Sequence, residues 1–213
     1  MYLAALLLCL SLAMSLAPNP ASILPLKPSN ALQMFNVIGQ LKTLKRTGWV
    51  NHGIPMPESV ADHMYRMSML GFFITDAEVN KDRLIKICLC HDLAEAVVGD
   101  ITPHDGVSKE EKRRLEEEAL KGIISGLEHE AIAGEILDLW LEYEEGTSRD
   151  AMVARNLDKF EMIVQADEYE RANPGKRLDQ FFESTRDYFD HPEVAAWALD
   201  LRSARAARLQ GEL

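Results

Sequence analysis

Ionisable side chains stand in this chain where helical periodicity calls for apolar ones. After Ser59 the inward positions recur as Val60, His63, Met67, Leu70 and Ile74. After Asn80 they recur as Leu84, Ile87 or Cys88, His91 and then Glu95. Burying an imidazole or a carboxylate without a partner is costly, so these groups must meet something. A lone histidine on such a face is ordinarily a core residue with a satisfied partner. Two on consecutive helices, the second followed directly by Asp92, point to a shared site. His91 and Asp92 are about 100° apart around a helix and can converge at its edge, with Glu95 one turn beyond. Asp100, just after Gly99, returns a further carboxylate, and Asp158 borders the apolar stripe Val153, Leu157, Phe160 and Val164. Nitrogen and carboxylate donors together suit Mn, Fe, Co, Ni or Zn better than calcium. A metal in such a site acts as a Lewis acid on a phosphoryl oxygen and lowers the pKa of bound water.

Helices must position these residues, and the pattern supplies little else. The spacing of Leu32, Phe35 and Ile38 predicts a first helix over about Ala31–Arg46, ended by Gly48. A second runs from a cap at Ser59, with Asp62 completing a capping-box variant, to about Thr75. A third starts at a cap on Asn80 and is stopped by Gly99. Ser108 and Glu111 form a capping box for a fourth, whose core stripe reads Leu115, Ala119, Ile123 and Leu127 and whose charged side, Lys109 to Glu118, reads as a solvated face. A fifth covers about Glu128–Glu145, and Gly146-Thr147-Ser148 recaps a sixth to about Arg171. Shorter helices follow near Leu178–Asp187 and Pro192–Leu209. The fold class is all-α, an irregular bundle of seven or eight helices with no strand.

The chain of 213 residues suffices for one domain with a sizeable core. Residues 30–213 read as that domain, and residues 1–29 as an apolar extension followed by a linker containing Pro18, Pro20, Pro25 and Pro28. The run Leu3–Leu16 resembles a signal segment, but no Lys or Arg precedes Lys27, and it is short for a membrane span. A cytoplasmic protein without a membrane partner is therefore expected. Cys88 and Cys90 form no zinc pair and read as packing residues. A net charge of −11 argues against a broad nucleic-acid surface. It leaves room for a small phosphorylated ligand held by a local cluster of cations and metal.

A histidine, a His-Asp dipeptide one helix later and a distant aspartate resemble the metal signature of the HD-domain phosphohydrolases. Extended segments tighten the likeness: Pro57-Glu58-Ser59-Val60-Ala61-Asp62-His63-Met64-Tyr65-Arg66-Met67, then His91-Asp92-Leu93-Ala94-Glu95 with Val98-Gly99-Asp100-Ile101, then Leu157-Asp158-Lys159-Phe160-Glu161-Met162-Ile163 followed by Gln165-Ala166 and Glu168-Tyr169-Glu170. These resemble the 5′-deoxynucleotidases of the HD domain-containing protein 2 type, over about residues 32–200. The resemblance implies an HD-type helical fold and a divalent cofactor (Mn, Co, Mg, Zn or Fe) held by His63, His91, Asp92 and Asp158. It implies that Glu95 and Asp100 assist catalysis or, with the Ile101 carbonyl, hold a second ion. It also implies that Arg46 and Trp49 contact the phosphate and the deoxyribose, and that the protein is a homodimer. Read without the family, Trp49 is a packing residue after a helix end and Arg46 a helix cap. The implied reaction is in-line attack of water on a 5′-phosphate, with Glu95 or Asp100 orienting the water or protonating the leaving oxygen. His52, His104, His129 and His191 read as incidental, surface or cap residues. Two other functions use the same residues: an HD-type phosphodiesterase on another small nucleotide, and a non-catalytic helical scaffold that a metal stabilises.

Overall fold

The computed structural model describes residues 28–211, and every regular element among them is helical. The reading of residues 1–27 as an extension lies outside the described residues. Helix α1 spans Pro28–Leu41, so it begins inside the predicted linker and stops well before Arg46. The early stop has a long-range cause. A turn at Lys42–Leu44 leads into an antiparallel bridge between Lys45 and Ser59. There the Arg46 N–H donates to the Glu58 carbonyl (3.2 Å) and the Val60 N–H to the Leu44 carbonyl (2.9 Å). The chain then makes a short helix α2, Thr47–Asn51, which contains Gly48 rather than ending before it.

Helix α3, Val60–Gly71, carries the predicted capping box: Ser59 Oγ accepts from the Asp62 N–H, and Asp62 returns a carboxylate oxygen to the Ser59 N–H. Helix α4, Lys81–Cys90, is capped by Asn80 but ends much earlier than Gly99. Residues 91–94 form a turn, and a one-turn helix α5 follows at Glu95–Val98. Helix α6 is Lys109–Ser125, α7 Glu130–Glu145, α8 Arg149–Ala172, α9 Asp179–Ser184 and α10 Pro192–Gln210. At α6 the capping box is only half formed: Ser108 accepts from the Glu111 N–H, while the Glu111 carboxylate pairs with Arg114 instead of returning. The inward stripe of α6 lies one residue later than predicted, at Glu116, Leu120 and Ile124, and so buries a carboxylate read as solvated.

Helices α3, α4 and α8 pack on one another and, with α10, enclose one apolar core that includes Met67, Ile74, Leu84, Ile87, Leu157 and Ile163. A second core, with Leu41, Val60, Met64, Leu120 and Trp140, joins α1 and α3 to α6 and α7. His63 on α3 and Asp158 on α8 therefore face each other across a packed helix pair, with apolar neighbours on either side. Gly99 leaves α5 at φ +80°, a conformation that suits glycine, and turns the chain so that Asp100 comes back toward α2.

Candidate metal centre and active site

The turn after α4 decides how its residues converge. The Glu95 N–H donates to the Asp92 carbonyl and the Leu93 N–H to the Cys90 carbonyl, both at 3.1 Å, so the backbone tightens to i→i+3 bonding. In that geometry residues three apart stack on one line. Asp92 and Glu95 thus point the same way, with His91 about a third of a turn to one side. His91 Nε2 lies 3.0 Å from Asp92 Oδ2. His63 Nε2 lies 3.8 Å from the same oxygen and 3.4 Å from Asp158 Oδ1. Donor atoms about 2.1 Å from a common ion are about 3.0 Å apart at right angles and about 3.4 Å apart at the tetrahedral angle. His63, His91 and Asp158 offer donor atoms that all lie within 4.8 Å of one another, a spacing that suits a divalent ion, and Asp92 approaches this group through the two histidines.

The polar atoms left over make the same point. Neither His63 Nε2 nor His91 Nε2 has a hydrogen-bond partner, and neither has Glu95 Oε2, although all three are buried. An unsatisfied buried polar atom costs about 1–3 kcal/mol, so their clustering asks for a ligand. The far side of each donor is anchored. His63 Nδ1 lies 2.5 Å from Glu161 Oε2 and His91 Nδ1 lies 3.0 Å from the Cys88 carbonyl. Asp158 Oδ2 accepts from Tyr143 Oη and from Lys159 Nζ, both at 2.9 Å, which leaves Oδ1 for the site.

The electrostatics follow from burial and neighbours. Burial raises the Asp92 carboxyl, but His91, Arg46 and His63 outweigh it and hold it well below the usual range. Asp158 is likewise held down, with Lys159 and His63 overcoming its burial. Burial pushes Glu95 the other way, well up, and the nearby Asp92 and Asp100 carboxylates add to it. Two neighbouring carboxylates thus differ sharply in proton affinity, as acid–base chemistry requires.

A cleft of about 920 Å³ opens on these groups, with Arg46, Asp92, Glu95, Asp100, Asp158 and Lys159 among its walls. Arg46 precedes α2 rather than ending α1, and its Nη1 reaches Asp92 Oδ2 at 3.4 Å. Asp100 is partly committed, since its Oδ2 accepts the Thr47 N–H at the start of α2 (2.7 Å). Ile101 lines the cleft beside it. Trp49 also lines the cleft but is only 1% exposed. Its indole N–H donates to Glu58 Oε1 (2.8 Å), and its ring packs on Tyr169 and Phe181. Among the histidines read as incidental, His52 and His104 border the cleft, and His191 is a buried cap whose Nε2 lies 3.3 Å from Asp76. Sequence reasoning missed Lys112 and Glu116, a pair 3.4 Å apart on the wall formed by α6. It also gave no role to Tyr143, Lys159 or Glu161. The spacing of Glu161, three residues after Asp158, was the available signal.

Comparisons with known proteins agree with the geometry. The sequence matches the HD domain family over residues 38–195. It is 48% identical over 190 residues to 5'-deoxynucleotidase HDDC2 of Dictyostelium discoideum, covering 83% of this chain and 99% of that protein. It is 46% identical over 180 residues to the protein of the same name from Homo sapiens, covering 84% and 87% respectively. Among solved structures, HD domain-containing protein YGK1 superposes with a TM-score of 0.65 at 32% identity, covering 88% of this chain and 91% of that one. Matched by the family model over residues 38–195 and nearly half identical to these relatives along most of its length, the chain is a member of the HD domain family.

Proposed function

We propose that this protein is a metal-dependent 5′-deoxynucleotidase that hydrolyses 2′-deoxyribonucleoside 5′-monophosphates to deoxynucleoside and phosphate. The observation that carries the reading is the pair of unpartnered imidazole nitrogens facing the carboxylates of Asp92 and Asp158 at one wall of the cleft. The names of the relatives supply the substrate class. A divalent ion held by His63, His91, Asp92 and Asp158 would polarise a phosphoryl oxygen and lower the pKa of a water. Glu95 and Asp100 would assist catalysis or, with the Ile101 carbonyl, serve as donors if a second ion binds. In the reaction, a water oxygen bonds to phosphorus, the bond from phosphorus to the 5′ oxygen breaks, and that oxygen takes a proton. Arg46 and Lys159 bring cations to the phosphate, and the planar fork of Arg46 suits two of its oxygens. Glu95 is the better candidate than Asp100 for handling the proton, because its Oε2 is unpartnered while Asp100 caps α2. Trp49, locked by Glu58, Tyr169 and Phe181, offers a rigid edge against which a sugar without a 2′-hydroxyl can rest.

Residues 30–213 would form one HD domain and residues 1–29 an extension and linker, with the first turn of α1 reaching back to Pro28. A homodimer fits the exposed apolar side chains Leu32, Phe35 and Ile38 of α1, beside a groove of about 340 Å³ that Ile38, Tyr65 and Leu89 help to line. No helix among the described residues is long and apolar enough to cross a membrane.

The test is phosphate release from a panel of 5′-deoxy- and 5′-ribonucleoside monophosphates, with cyclic AMP alongside. Metal-stripped protein is resupplied with Mn, Co, Mg or Zn. Release from the deoxynucleotides that is lost with chelator and in Asp158→Ala is the expected result. Hydrolysis of cyclic AMP alone would make the protein a phosphodiesterase. No hydrolysis with any metal would leave only a metal-stabilised scaffold.

A further inference from the structure

Glu161 does not line the cleft, yet it is the most completely buried carboxylate among the described residues, at 0% exposure. Its two oxygens have separate duties. Oε2 lies 2.5 Å from His63 Nδ1, and Oε1 accepts from Arg66 Nε at 2.8 Å, with Nη2 at 2.7 Å. Arg66 also donates to Gln165 Oε1 (2.6 Å) and Glu168 Oε2 (2.8 Å). The sequence accounts for this register. His63 and Arg66 are three apart on α3, and Asp158 and Glu161 are three apart on α8, with Gln165 and Glu168 further along the same face. Packing α3 on α8 therefore joins two pairs in one step: His63 meets Asp158 on the cleft side and Glu161 on the core side.

An ionised carboxylate only accepts hydrogen bonds, so the Nδ1 facing it carries the proton and Nε2 keeps its lone pair. The guanidinium of Arg66, with Nε 2.8 Å and Nη2 2.7 Å from Oε1, pairs with the charge of that carboxylate. We propose that Glu161 is a positioning residue for the metal centre: anchored by Arg66, it fixes the tautomer and ring orientation of His63 so that Nε2 faces Asp92 and Asp158. This rests on the reading of His63 as a metal ligand. His91 is oriented differently, by the neutral carbonyl of Cys88. Of the two histidines, only His63 thus has a charged support that a side-chain substitution can remove. A salt bridge that served only to join α3 to α8 would change stability and leave the affinity of the folded protein for metal where it was.

The experiment measures Zn²⁺ and Co²⁺ affinity of the whole chain by competition with a chromophoric chelator, under conditions where circular dichroism shows each variant folded. Glu161→Gln keeps the volume and removes the charge; it is expected to weaken metal binding about 10- to 100-fold. Arg66→Gln, at a half-buried residue that leaves Glu161 in place, is expected to weaken it by a smaller factor. A folded Glu161→Gln protein that binds metal within twofold of the wild type overturns the proposal. Should Glu161→Gln fail to fold, Arg66→Gln decides the matter, and unchanged affinity there overturns it. A wild-type protein that binds neither ion refutes the metal reading itself, which separates that failure from the failure of Glu161.

Discussion

Replacing Arg46 by Met separates substrate binding from metal binding, because the residue is on opposite sides of the two balances. Its guanidinium makes one long contact, 3.4 Å to Asp92, and no other side-chain hydrogen bond of it is formed among the described residues. Most of its fork is therefore free to face a phosphate in the cleft. A charge-assisted hydrogen bond contributes about 1.5–3 kcal/mol, and about 1.4 kcal/mol is a factor of ten. Losing one such contact should raise KM for a deoxynucleoside monophosphate about 10- to 150-fold, and a two-pronged contact would lie at the upper end. Metal affinity should move the other way or stay put, since Arg46 is a cation beside a cation site. Met keeps the stem and its packing, so the change is chiefly one of charge. The assay is steady-state phosphate release at saturating metal, paired with chelator competition on the same protein. Unchanged KM would remove Arg46 from the phosphate site. A large loss of metal affinity would refute the reasoning more deeply, because Arg46 would then be holding Asp92 for the ion rather than waiting for the substrate.

Glu95→Ala should lower kcat far more than it lowers metal affinity, given the unpartnered Oε2; equal losses measured in parallel would make Glu95 a ligand for the essential ion instead. Metal at about 100 times its Kd should stabilise the fold by about 2.7 kcal/mol, which for a domain of this size is about 5–11 °C in Tm; calorimetry with and without chelator checks this, and coincident transitions would count against any site. Away from the cleft, the Glu78 N–H, Arg149 and His191 pull Asp76 down to about 2. Because that lies below its value in the unfolded chain, the stabilisation is present above about pH 4 and fades as pH falls toward 2. Urea unfolding should therefore find Asp76→Asn less stable than wild type at pH 6, with the gap narrowing at pH 3; a gap independent of pH would show that the carboxylate charge is not what matters there.

Local signals in the sequence were reliable and distant ones were silent. Ser59, Asn80, Ser108 and Ser148 cap the helices they were expected to cap, because a cap depends on residues within one turn. The inward position of His63 followed from its own helix's period. By contrast, the end of α1 is set by the bridge from Lys45 to Ser59, a pairing no local pattern encodes. Without it Arg46 would ride on the last turn of a longer helix instead of standing at the start of α2. The stop of α4 at Cys90 likewise has no glycine or proline to announce it, since Gly99 comes only after the tightened turn and α5.

The rotation of α6 is the most instructive of these differences. Leu115, Ala119 and Ile123 make a better stripe than Glu116, Leu120 and Ile124 if apolar residues alone are counted, so periodicity favours the face that packing leaves only half-buried. What decides is the neighbour. Turning Glu116 inward costs desolvation, which pushes its carboxyl up to about 7, but it puts Lys112 onto the cleft wall, 3.4 Å from Glu116 and 4.0 Å from Glu95. A helix laid over a cluster of carboxylates gains from presenting a cation there, and that gain is invisible until the cluster exists. The ionisable residues that broke their helices' apolar pattern were legible one at a time, as exceptions. The residues that serve them, Lys112, Glu116, Lys159 and Glu161, follow the ordinary rules for charged side chains, and only the packed structure shows which exceptions they answer.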